Sequence, residues 1–189
     1  MTSPPGPRVV LVGPMGAGKT TVAGLLAERW GVGVRDTDED VETTAAKAIS
    51  EIFVDDGEQQ FRALERVAVA RALADHRGVL ALGGGSVLDP DTRSALAGHR
   101  VVFLKVGLTD AVKRVGLGVG RPLLLGNVRS RIKGLLDERL PVYQEVASAT
   151  VETDGRTPQD VAAEVARLVE EAEDAVPAPS VDDPSGGRP

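Results

Sequence analysis

Lys19 and Thr20 close the run Gly13-Pro14-Met15-Gly16-Ala17-Gly18-Lys19-Thr20, which fits G-x-x-x-x-G-K-[ST], the phosphate-binding P-loop. Glycines in such a loop let the backbone wrap a phosphate with successive N–H groups pointing inward. The lysine adds a point charge for the terminal phosphates, and the threonine hydroxyl adds an oxygen for Mg²⁺. Gly16, Ala17, Gly18, Lys19, Thr20 and Thr21 are therefore candidate nucleotide-phosphate residues. Four further groups could do chemistry. In Asp36-Thr37-Asp38, period-two spacing sends both carboxylates from one face of an extended strand end. One could orient Mg²⁺ through water while the other takes a proton from a hydroxyl; equally, both could be solvated loop acids. Arg62 and Glu65 lie one helical turn apart, as a surface pair or as an arginine aimed into a cleft. Gly83-Gly84-Gly85 allows a ligand close to the backbone or makes a tight turn. Arg121, after a glycine-rich stretch, could close over a nucleotide and stabilise charge on a transferring phosphoryl group, or could be a solvated loop residue.

The elements that must position these groups alternate between strand and helix. Val9-Val10-Leu11-Val12 is continuously apolar, as a strand buried on both faces requires, and residues 19–30 follow as a helix. A short strand is expected at 33–37. Helix is expected at 39–47 and 50–75, interrupted near Asp55-Asp56-Gly57. A strand at 79–82, a short helix from Asp89-Pro90 to about Ala97, a strand at 101–106, helices at 109–115 and 129–146 and a last strand at 150–153 complete the alternation. Thr157 and Pro158 open a final helix in which Val161, Val165 and Leu168 recur at helical spacing. Such alternation predicts an α/β fold, a parallel sheet covered on both faces, with ligands beyond the carboxyl ends of the strands. The P-loop, Asp36/Asp38 and Gly83–Gly85 all fall there. Residues 1–175 are expected to form one domain and 176–189 a disordered tail.

Composition narrows the class. The chain has 189 residues, no cysteine and a net charge of -6. Disulfides and Cys-based zinc sites are thereby excluded. Acidity and an aromatic content of 3% argue against a nucleic-acid binder. The longest apolar runs fall short of a membrane span, and the first residues lack a signal peptide's apolar region. A cytoplasmic protein with no membrane partner is expected.

Taken together, G-A-G-K-T, D-T-D, G-E-x-x-F-R-x-x-E, L-G-G-G, G-R-P-L-L and E-R-x-P-x-Y occur in this order between about Val9 and Leu168. The set resembles the shikimate kinase family. The resemblance implies a three-layer P-loop kinase fold with a five-stranded parallel sheet in the order 2-3-1-4-5, helices on both faces, a lid at about 116–128 and a substrate-binding helical region at about 39–66. It implies a monomer that uses ATP and Mg²⁺ to phosphorylate the 3-hydroxyl of shikimate. By the same resemblance, Lys19 and Thr20 would hold the ATP phosphates and Mg²⁺, with Asp36 reaching the metal through water. Asp38 would be the base, Arg62 and Arg139 would grip the substrate carboxylate, and Gly83, Gly84 and Gly85 would line the ring. Arg121 would be the lid arginine, and Arg114, Arg156 and Pro158 would flank adenine. A kinase of another hydroxylated acid such as gluconate, or a nucleotide-binding module without phosphoryl transfer, is the alternative. Two positions depart from the family pattern: Ala46 and Ala48 stand where Gly and Ser are common, so the capping of the substrate-side helix would be lost or moved to Ser50. The lid stretch Gly116–Gly120 also lacks the polar residues often found there.

Overall fold

Alternate residues of the first strand feed two separate cores, which is why its sequence is apolar without a break. The structure, a computed structural model, describes residues 6–118 and 125–175. Strand β1 (Val9–Val12) sends Val9 and Leu11 to one face of the sheet and Val10 and Val12 to the other. On the first face they meet α1 (Lys19–Trp30) and α8 (Pro158–Asp174) through Val22, Leu26, Val161 and Val165. On the second face they meet Val69 and Leu73 of α4 (Gly57–Asp75), Leu96 of α5 (Pro90–Leu96) and Tyr143 of α7 (Leu125–Val146).

Five strands build the sheet, all parallel, in the order β2-β3-β1-β4-β5. β2 spans Val34–Asp36, β3 Val79–Ala81, β4 Val101–Lys105 and β5 Ala149–Glu152. The P-loop leaves the carboxyl end of the central strand, the place where helix N-termini and loops converge in such sheets. Gly18 caps α1 at φ 88°, a left-handed conformation that glycine adopts without strain.

A third, smaller core joins α2 (Thr37–Ala45), α3 (Ile49–Asp55) and α4 through Val41, Ile52, Phe61 and Ala68. This is the expected helical region at about 39–66. Its α2–α3 turn carries the two departures. Ala46 sits at φ 52°, the only non-glycine positive φ among the described residues. Ala48 is the N-cap of α3 and has no side-chain acceptor to offer. The cap has not moved to Ser50. Instead the Ala48 N–H donates to Glu51 Oε2 at 3.0 Å and the Ile49 N–H to Glu42 Oε1 at 3.0 Å. Two glutamates thus satisfy the amides of Ala48 and Ile49, while the Glu51 N–H, which a serine cap would accept, donates to the Ala48 carbonyl at 2.9 Å.

Three local expectations change. Asp38 does not lie on an extended strand end: β2 stops at Asp36, and Asp36 Oδ1 accepts from the Asp38 N–H at 3.0 Å, capping the helix on which Asp38 rides. The unpaired amides of a first helical turn attract such an acceptor. Helix α6 (Leu108–Gly118) runs past the expected end at 115, and α7 starts at Leu125, before the expected 129. Arg121 and the tail 176–189 lie outside the described residues.

Candidate active site

Two cavities meet at the P-loop. One, of about 450 Å³, is lined by Gly16, Gly18, Lys19, Thr20 and Thr21, and across from them by Asp36, Asp38, Arg62, Glu65, Gly84, Gly85 and Arg139, with Ile49 and Phe61 as apolar wall. The other, of about 380 Å³, lies behind the loop, lined by Arg114, Thr153, Arg156, Pro158, Val161 and again Gly16, Gly18 and Thr21. The P-loop is their shared wall. A triphosphate could therefore run from a base in the second cavity to an acceptor in the first. Ala17, Val22, Pro158 and Val161 give the second cavity an apolar wall, as a slot for a flat heterocycle needs.

Lys19 opens α1, and its ammonium donates to the carbonyls of Gly13 at 2.7 Å and Pro14 at 3.1 Å. Burial lowers its pKa to about 8; Asp38 and Asp36 oppose that fall, and Arg139 adds to it. Asp38 moves the other way. Burial, then the neighbouring Asp36, raise its pKa to about 6, against the pull of Lys19. The two groups face each other across the cavity, with values drawn in from opposite ends of the scale. Near neutral pH both still carry charge.

Thr20 Oγ1 donates to Asp36 Oδ2 at 3.1 Å, so two hard oxygens stand together at the mouth of the P-loop. Mg²⁺ binds through one or two such oxygens plus substrate phosphates, so this donor set suits it. Among the described residues, no group of three or more His, Asp or Glu side chains could hold a metal ion by itself.

The acceptor side is built by three elements. α4 supplies Arg62, whose Nη1 donates to Glu65 Oε2 at 2.7 Å; Glu65 is buried and also accepts from Ser86 Oγ at 2.8 Å. The arginine is therefore held in the cleft by its partner, and the pair is no surface ornament. α7 supplies Arg139, whose Nε is buried without a hydrogen-bond partner. A buried, unpaired guanidinium nitrogen is costly and points to an anionic ligand that completes it. The third element is the loop after β3. A Cβ at Gly85 would lie 2.5 Å from Arg62 Nη1, and one at Gly83 would collide with Asp38 Oδ1, so glycine is required for side chain and backbone to close up here.

Gly83 itself lies beneath the cavity, and Ala17 is buried in the wall of the second. Arg114 is tied to the Thr153 carbonyl at 2.8 Å and the Gly16 carbonyl at 3.2 Å. Arg156 turns partly away, bonded to Glu164 and to the Glu152 and Asp160 carbonyls. Every expected site residue except Arg121, which is outside the described residues, borders one cavity or the loop beneath it. Three residues of the site have no role assigned from the sequence: Thr37, inside D-T-D, Ser86, just after the glycines, and Tyr143. Tyr143 lies in E-R-x-P-x-Y, and its hydroxyl donates to the Gly84 carbonyl at 2.5 Å.

A P-loop on the central strand of this sheet, facing a pocket of arginines and one raised carboxylate, defines a P-loop phosphotransferase with a small anionic acceptor. Comparison narrows the class. The family model "Shikimate kinase" matches residues 15–170. A shikimate kinase of Salinispora arenicola is 64% identical over 163 residues, covering 86% of this chain and 98% of that protein. One of Thermobifida fusca is 57% identical over 168 residues, covering 89% and 98%. The solved structure of shikimate kinase from Acinetobacter baumannii in complex with shikimate superposes with a TM-score of 0.81 at 34% identity, covering 89% of this chain and 94% of that one. The chain belongs to the shikimate kinase family.

Proposed function

We propose that the protein transfers the terminal phosphoryl group of ATP to the 3-hydroxyl of shikimate, giving shikimate 3-phosphate and ADP. One observation carries this most: the cavity that holds the P-loop lysine also holds Arg62, Arg139 and Asp38, so donor and acceptor groups share a single space. Shikimate is a carboxylate bearing three hydroxyls. An acidic protein needs local positive charge to hold it, and the planar fork of arginine matches a carboxylate bidentately. Arg62 and Arg139 both line the cavity and present such guanidinium groups to it.

In this reading the 3-hydroxyl oxygen forms a bond to the γ-phosphorus as the bond to the β–γ bridging oxygen breaks. Asp38 orients the hydroxyl and accepts its proton late. Lys19 leaves the Gly13 and Pro14 carbonyls for the phosphates, and the following helix N-terminus adds its dipole. Thr20 and, through water, Asp36 would hold Mg²⁺, which supplies charge neutralisation on the phosphates when bound. Phosphoryl transfer depends more on alignment and charge neutralisation than on a strong base, so Lys19 and Arg121 are assigned most of the rate. Arg121 takes this role from G-R-P-L-L. Gly84 and Gly85 line the ring with Gly83 beneath them, and Arg114, Arg156 and Pro158 bracket adenine. The enzyme would work as a cytoplasmic monomer; no described helix is long and apolar enough to cross a membrane.

ADP release measured with Mg-ATP and separately shikimate, quinate and gluconate tests the reading. Shikimate should give the highest kcat/KM by a wide margin. A folded protein with no shikimate-dependent ADP formation, or with gluconate preferred, would refute it.

A further inference from the structure

The glycine loop is pinned from two sides by hydroxyls that the mechanism above does not use. Thr37, fully buried, accepts from the Gly83 N–H at 3.0 Å across 46 residues of sequence. Tyr143, 1% exposed, donates to the Gly84 carbonyl at 2.5 Å across 59 residues. The neighbours of these two residues give the contacts their meaning. Thr37 directly precedes Asp38, and Gly83 lies so close that a Cβ there would strike Asp38 Oδ1. Tyr143 stands one helical turn after Arg139, and a Cβ at Gly84 would lie 3.7 Å from Arg139 Nη1, with the P-loop backbone of Gly13 and Met15 also near it at 3.5 and 3.6 Å.

We propose that Thr37 and Tyr143 are positioning residues of the acceptor site: their hydroxyls fix the glycine loop, Thr37 setting the place of Asp38 and Tyr143 that of Arg139. The inference rests on the shikimate reading of the cleft. It separates two functions that one loop would otherwise blur. Drift at Gly83 moves the base relative to the hydroxyl and should lower kcat. Drift at Gly84 loosens the carboxylate grip and should raise KM for shikimate. Neither contact reaches the base cavity, so ATP binding should be spared.

The test compares Thr37→Val, Thr37→Ser and Tyr143→Phe with wild type in steady-state assays varying shikimate and ATP separately. ADP binding and thermal unfolding serve as checks of folding. Thr37→Val and Tyr143→Phe are nearly isosteric, Thr37→Ser removes one buried methyl group, and Tyr143→Phe keeps the ring stacked on Phe103 at 4.9 Å. Thr37→Val should lower kcat roughly 10- to 100-fold, because a buried N–H loses its acceptor. Thr37→Ser, which keeps the acceptor, should recover most of that rate. Tyr143→Phe should raise KM for shikimate by about 5- to 50-fold with a smaller change in kcat. KM for ATP should stay within about twofold in all three. Unchanged shikimate kinetics in folded Tyr143→Phe, a parallel fall in shikimate and ATP parameters, or Thr37→Ser as impaired as Thr37→Val would overturn the proposal. If Thr37→Val does not fold, Thr37→Ser and Tyr143→Phe still decide. Wild type is assayed first: no turnover of shikimate there refutes the functional reading, whereas turnover with indifferent variants refutes only this inference.

Discussion

Lys19 and Asp38 occupy the same cavity in charge states that burial opposes, and the two shifts make opposite demands on pH. The raised value of Asp38, about 6 against an ordinary 3.8, means a stabilising contribution that is complete below 3.8 and lost as pH rises through about 6. The lowered value of Lys19, about 8 against 10.5, means a contribution present above 10.5 and lost as pH falls through about 8. At pH 7 both groups are charged, so both work against the stability of the free fold. Lys19 also donates to the Gly13 and Pro14 carbonyls and faces Asp38, so an apolar replacement removes a burial cost and favourable contacts together. Lys19→Met is expected to stay folded in calorimetry at pH 7 with turnover reduced about 100-fold or more; turnover near the wild-type level in the folded variant would remove Lys19 from the mechanism. The same shifts shape the rate. A profile of kcat/KM for ATP reports the free enzyme and should fall below about pH 6 and above about pH 8. With ATP saturating, phosphate stands beside Lys19, so the alkaline limb of kcat/KM for shikimate should move upward. An alkaline limb at the same pH in both profiles would remove Lys19 from the phosphate site. At this scale the sequence was most readable where a motif is contiguous, as in Gly13–Thr20. It was least readable at Thr37 and Tyr143, whose partners lie 46 and 59 residues away and leave no local pattern.

Among the elements, the α2–α3 turn is where this chain is weakest. Ala46 holds a left-handed conformation that costs an L-residue about 1–2 kcal/mol, partly offset because glycine is freer when unfolded. Ala48 leaves α3 without a side-chain cap. Ala46→Gly should stabilise the protein by about 0.5–1 kcal/mol and Ala48→Ser by about 1 kcal/mol. Each corresponds to a rise of roughly 2–4 °C in melting temperature for a domain of this size. Scanning calorimetry of the two single variants and the double variant checks this, and a destabilised Ala46→Gly would show that the turn is not strained. The helix break itself was legible as the gap between the helices expected at 39–47 and 50–75, although Ala46 and Ala48, where the family carries Gly and Ser, argued against it. Its repair by Glu42 and Glu51 was not, since a glutamate reaching back to an amide looks in sequence like any exposed acid. Asp38 failed as a strand-end residue for a related reason: Asp36, the last residue of β2, is also the N-cap of α2, and a strand end and an N-cap share extended backbone, so only the observed bond to the Asp38 amide shows where the helix begins.

Across the whole molecule, stability and chemistry sit at opposite edges of one sheet. The site gathers at the carboxyl ends of the strands. At the amino ends, Glu173 of α8 pairs with Arg8, just before β1, at 2.8 Å and with Arg100, just before β4, at 3.3 Å. Arg8 also stacks over Trp30, whose indole N–H donates to Glu170. Glu173→Ala should therefore cost about 1–2 kcal/mol of stability, since two partly buried arginines lose a charged acceptor, while kcat and both KM values stay unchanged. Denaturant unfolding beside steady-state kinetics measures both; altered kinetics would mean that the two edges are coupled. The order of the five strands could be anticipated because motif order tied the chain to a family, and alternation of strand and helix made the sheet parallel. Helix limits around 116–128 could not, because a run of glycines lowers helix propensity without forbidding a helix that its neighbours propagate.

The central claim is that Arg139 completes an acceptor site built for a carboxylate, separate from the nucleotide site. Calorimetric titration of Arg139→Ala with shikimate and, independently, with ADP addresses it directly. Charge-assisted hydrogen bonds of about 1.5–3 kcal/mol predict shikimate binding weaker by roughly 10- to 150-fold, with ADP affinity within about twofold of wild type. Equal loss of both affinities, or shikimate binding unchanged in a folded variant, would contradict the account.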